Sequence, residues 1–127
     1  MSKIRPEVAQ RRIKSFFKRF GETHLYLAYH AAFPLALKPE LLYNLWANFQ
    51  QDIHGKLLNI PWIGVADLLL SNLCDEVGYE LYEMDLAVRN ELLKELQSNE
   101  RFGQQRIKEL SDFLLEYIQN ELQSPDP

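Results

Sequence analysis

The sequence predicts a mainly α-helical, winged-helix-like domain with a small β-hairpin and flanking helices. Three observations carry this expectation. Apolar residues recur at helical spacing along most of the chain. The stretch ADLLLSNLCDEVGYELYEMD, residues 66–85, passes from a Leu-rich helical period into a short alternating segment around one glycine. Three helical stretches precede that segment in the order that a winged helix uses. The competing expectation is an all-α, death-fold-like bundle in which residues 74–84 form only a loop.

The elements follow in order. Pro6 suits the first turn of a helix and Gly21 its end, with Ile13, Phe16, Phe17 and Phe20 on the apolar face. THLYLAYHAAF, with Thr23 as N-cap and Pro34 as stop, is apolar nearly all round and therefore central and buried. Pro39 opens a third helix ending at Gly55, with Leu42, Leu45, Trp46, Phe49 and Ile53 inward. Pro61 opens a fourth, in which Trp62, Val65, Leu68 and Leu69 keep the period although Gly64 weakens it. Val77-Gly78 offers the hairpin turn. Asp85 N-caps a fifth helix with Val88, Leu92 and Leu96 inward. Gly103 precedes a long sixth helix striped by Ile107, Leu110, Leu114, Tyr117 and Ile118. Residues 1–123 thus read as one domain, and 124–127 as the start of a linker.

With 127 residues, 46% hydrophobic and 12% aromatic, the chain can bury a substantial core. Its single cysteine, Cys74, rules out an internal disulfide and suits a reducing cytoplasm. The longest apolar run, Trp62–Leu70, is too short to span a bilayer and is interrupted by Asp67.

Charge is unevenly spread beneath a net −4. Residues 1–19 hold seven bases and one acid, so the remainder carries the negative excess. Arg11, Arg12, Lys14, Lys18 and Arg19 make a basic helix face, while Asp75, Glu76, Glu80 and Glu83 line the expected wing. These nine are the candidate partner-binding residues. Between Lys56 and Arg89 there is no base at all, but six acids. A DNA reader needs cations against phosphate and polar side chains against base edges, so the helix and wing argue against DNA. The basic first helix alone keeps a route to nucleic acid or an anionic surface.

No enzyme, cofactor, metal or small-molecule substrate is expected. The five glycines are isolated, so none forms a phosphate-binding loop. His24 and His30 are six apart, the wrong spacing for two ligands on one helix face, and His30 suits a core histidine bonded to backbone. Cys74 sits before Asp75 and Glu76, which raise a thiol's pKa, and suits a buried small hydrophobe. A protein partner or homo-oligomer is the simplest remaining expectation, in one version through the basic helix of one copy meeting the acidic stretch of another.

The runs HLYLAYHAAFPLALKPELLYNLWANFQ, IPWIGVADLLLSNLCDEVGYELYEMDLAVRNELLKEL and FGQQRIKELSDFLLEYIQNELQS resemble an N-terminal region of large, mostly cyanobacterial multidomain proteins. Segments with "PW…ADLLLS.LC…YEMD..VR..LL" occur also in actinobacteria. In such proteins the region precedes STAND-type NTPase, WD-repeat or formylglycine-generating-enzyme-like modules of conflict systems. The resemblance covers Pro6 to Ser124. It implies an effector-associated adaptor at the front of a longer protein, and it carries over no catalytic residue.

Overall fold

A computed structural model describes residues 3–123; the expected linker, 124–127, lies outside them. The described residues form six helices and one two-stranded antiparallel sheet, a helical domain with a small β-hairpin. The hairpin removes the all-helical alternative.

Helix α1 spans Pro6–Phe20 and stops where Gly21 turns to φ 89°, its N–H closing on the Phe17 carbonyl at 2.8 Å. Left-handed backbone of this kind is cheap only for glycine. Ala9, Ile13 and Phe16 are the buried stripe. Phe17, expected to face inward, is 47% exposed, because one residue beyond Phe16 turns it about 100° away from the core.

Helix α2 (Glu22–Ala31) begins directly after that turn, so Gly21 rather than Thr23 is its N-cap. Every residue from His24 to Ala31 is buried, as its all-round apolar character requires. The chain then passes Leu37, whose N–H and carbonyl both bond to Tyr82 at 2.8 Å. Helix, bridge, helix, helix and hairpin follow one another in the winged-helix order.

Helix α3 (Pro39–Asn48) ends well before Gly55. Beyond it the chain turns locally at Asp52, whose Oδ1 accepts the backbone N–H groups of His54 (2.8 Å) and Lys56 (3.0 Å), so the expected stretch to Gly55 is not helical. Leu42 and Leu45 are buried as expected, whereas Trp46, Phe49 and Ile53 are only half-buried.

Helix α4 is likewise shorter than expected, Gly64–Leu69 instead of a start at Pro61. Residues 61–63 form a tight turn, with Gly64 N–H on the Pro61 carbonyl and Val65 N–H on that of Trp62. Trp62 consequently leaves the core and is 60% exposed. A Cβ on Gly64 would stand 3.4 Å from Leu27 Cδ2 and 3.7 Å from the His24 ring, so α4 lies close against α2.

Strands β1 (Asp75–Gly78) and β2 (Leu81–Glu83) form the hairpin. Its turn is Tyr79-Glu80, with Glu80 at φ 51°, not Val77-Gly78. Gly78 pairs with Leu81, and the register slips between Glu76 and Gly78 so that Val77 is the extra residue. Helix α5 (Leu86–Ser98) starts as expected: the Asp85 carboxylate accepts the Ala87 N–H at 2.9 Å, and Val88, Leu92 and Leu96 are fully buried. Helix α6 (Gly103–Gln123) includes Gly103 and keeps only Leu110 of its expected stripe fully buried; Ile107, Leu114 and Tyr117 are half-buried and Ile118 is exposed.

One buried apolar cluster joins residues of all six helices, from Ala9 to Leu110. Helix α5 packs against α1, α2 and α6, while α4 packs against α2 and α3. Among the described residues no helix is long and apolar enough to cross a membrane.

Candidate functional site: a basic helix and an acidic wing

Arg11, Lys14 and Lys18 follow one another at i, i+3 and i+7, so α1 presents them as a row on its outer face. All three are exposed, with Phe17 beside them. Arg12 and Arg19, expected in the same face, lie on its flank. Arg12 is half-buried and donates from Nη1 to the Asn72 carbonyl at 3.3 Å. Arg19 lies over the Phe20 ring, 5.0 Å from its centre. Both therefore belong to the seam between α1 and the end of α4.

The wing places Asp75, Glu76, Glu80 and Glu83 in solvent. The two-residue turn carries Tyr79 to the tip, where it is 92% exposed, and the bulge turns out Val77 at 47%. Glu76 and its cross-strand neighbour Tyr82 interact, and burial, reinforced by the carboxylate, raises the phenol's pKa. An open cleft at the base of the wing is lined by Lys3, Asp75, Val77, Glu83 and Arg89. Here the backbone N–H of Lys3 donates to Asp85 at 2.6 Å, so the chain entering α1 lies beside the hairpin.

The structure does not pair the two charged surfaces with each other. Among the described residues the ion pairs are Arg101–Asp52 and Arg106–Glu109, and His24 hydrogen-bonds Asp67. None uses a base of α1 or an acid of the wing.

The remaining polar groups have architectural work. His30 Nδ1–H donates to the Tyr26 carbonyl at 2.7 Å, and Arg106 Nη1–H donates to His30 Nε2 at 2.6 Å. Burial, reinforced by Arg106 and opposed by the Tyr26 bond, pushes the His30 ring down to about 3. It is the neutral core histidine that its sequence setting suggested. Arg106 also reaches the Gln51 carbonyl and Glu109, and its guanidinium lies over the rings of Phe49 and Phe102. Burial raises the Asp52 carboxyl, but the Arg101 guanidinium and two backbone N–H groups outweigh it and hold it at about 2. His24 bonds Asp67 at 2.9 Å and stacks on Phe20, tying α2 to α4. Cys74 is buried, and burial together with Asp75 pushes its thiol up to about 12, leaving little thiolate. Among the described residues no three His, Cys, Asp or Glu side chains are grouped to hold a metal ion.

Sequence reasoning missed Tyr79 and the Arg106 network. Tyr79 was hidden by the misplaced turn. Arg106 had a signal: it lies four residues before Leu110 and four after Phe102, on the inward face of the last helix. Trp62, Ile63 and Leu70 form a third feature, apolar side chains exposed around α4 where a DNA reader would place polar ones.

No protein-family model, curated protein or solved structure matches this chain.

Proposed function

We propose that this chain is a protein-interaction module of the adaptor kind, non-enzymatic, acting through two exposed faces of opposite charge. It recruits a protein partner or a second copy of itself, as a part of a larger bacterial signalling or conflict-system protein. The observation that carries this reading is that the Arg11–Lys14–Lys18 row and the Asp75–Glu76–Glu80–Glu83 wing are both exposed and that, among the described residues, neither takes part in an ion pair. Charge left unpaired on a folded surface steers association and weakens it as salt rises. The apolar surround of α4 and the acids of the wing speak against laying that face on a polyanion.

Sedimentation velocity over a concentration series, at low and high salt, tests the self-associating form. A mass that grows with concentration at low salt and falls at high salt supports it. A monomer at every salt and concentration removes it.

The outward row on α1 also favours a second reading, attachment to nucleic acid or another anionic surface. A gel shift with duplex and single-stranded DNA at low salt, showing no retardation at about 100 µM protein, excludes nucleic acid, since non-specific binders reach that range.

A further inference from the structure

We infer that α1 and the wing are two halves of one self-complementary surface, through which two copies form a closed dimer with each Tyr79 seated on the basic row of the other. The inference rests on the self-associating form of the reading above and names its partner and its contact.

Three observations lead there. First, the chemistry of each half fits the other. The wing tip is an aromatic ring, 92% exposed, next to Glu80, with Glu76 and Glu83 further down the two strands. The helix face is a row of three cations with the half-exposed ring of Phe17 beside it. A tyrosine set among lysine and arginine gains both ring contact and attraction of the cations to its π-face, and tyrosine is enriched among residues that dominate interfaces. The carboxylates around it then meet the bases as a polar rim.

Second, the fold ties the helix and the hairpin to one body. Arg12 donates to the Asn72 carbonyl, three residues before β1, and the Lys3 N–H donates to Asp85 at the end of the hairpin. A positive and a negative area held in fixed relation on one body can each meet the opposite area of a second copy across a two-fold axis.

Third, size selects the closed form. A specific interface buries about 1,200 Å² or more in total. The wing is short, a four-residue and a three-residue strand, so a single wing-on-helix contact offers little area. Two equivalent contacts about an axis double the area, whereas a head-to-tail chain uses one contact per junction.

The test uses two charge-reversed proteins and one tip variant, each checked by circular dichroism. The first carries Arg11→Glu, Lys14→Glu and Lys18→Glu; the second carries Glu80→Lys and Glu83→Lys. Each alone is expected to sediment as a monomer at low salt. Mixed at equal concentration they are expected to form a heterodimer, because both contacts are again between opposite charges; this rescue also excludes misfolding as the cause. Tyr79→Ala should weaken dimerisation of the otherwise native chain about tenfold or more, and Tyr79→Phe should retain most of it. A native chain that stays monomeric removes self-association itself. A native dimer that both reversed variants still form, or that their mixture fails to restore, overturns this interface alone. Open-ended growth beyond the dimer overturns the closed arrangement.

Discussion

Arg106 Nη1 lies 2.6 Å from His30 Nε2, joining the last helix to the central one inside the core. The guanidinium is a permanent donor, so the ring nitrogen facing it must be an acceptor, and the proton sits on Nδ1 against the Tyr26 carbonyl. One cation thus fixes the tautomer and opposes a second cation.

This relationship makes stability fall on acidification. The unfolded histidine takes up a proton near its ordinary 6.5, while the folded ring refuses it down to about 3. The unfolded state therefore binds more protons throughout that window, and stability is full above 6.5 and lost progressively below it. A loss of about 2 kcal/mol between pH 7 and pH 5 is expected for this one group. Thermal melts over that range should show it, and His30→Gln should flatten the slope even where it lowers the melting temperature.

Asp52 acts at lower pH and in the same direction. Its folded carboxyl is held at about 2, below the ordinary 3.8, so its contribution is present above 3.8 and lost as pH falls toward 2. Asp52→Ala should lower the melting temperature at neutral pH and speed amide exchange at His54 and Lys56, whose N–H groups it accepts. Unchanged exchange at both amides would mean that the carboxylate does not hold this turn.

Gly64 separates two side-chain sizes. A Cβ there meets Leu27 at 3.4 Å and His24 at 3.7 Å, ordinary contact distances, so Gly64→Ala should be close to neutral. Gly64→Leu must push α4 from α2, with an expected cost of about 1–3 kcal/mol by urea unfolding.

Leu92 and Trp62 reverse the ranking that size alone suggests. Leu92 is fully buried beneath α1 and α2, whereas Trp62 is 60% exposed. Leu92→Ala should cost about 2–5 kcal/mol. Trp62→Ala should stay within about 1 kcal/mol, as exposed positions do.

The expected elements are clearest in the sequence where a boundary residue and an apolar stripe agree. Pro6 and Gly21 bound α1, and Asp85 caps α5 over Val88, Leu92 and Leu96. The errors arise where a side chain competes with the backbone or a turn shifts register. After α3, Asp52 closes a local turn by capturing the N–H groups of His54 and Lys56, a choice that helical spacing does not reveal. The bulge at Val77 moves the turn to Tyr79-Glu80, although Gly78 looked like the better turn residue. The charges of the candidate surface could be counted from composition, but their separation into a row on α1, a flank at Arg12 and Arg19, and an acidic tip around Tyr79 depends on the fold.

The Leu37–Tyr82 bridge gives the wing a property that a two-stranded ribbon lacks on its own. Two backbone hydrogen bonds clamp β2 to the segment between α2 and α3, so the hairpin is an outrigger braced against the hull. The backbone at the end of a braced arm is set before any contact, so a body meeting Tyr79 would not have to order a loop. Releasing that brace would leave every charge in the wing intact and still blunt it as a point of attachment.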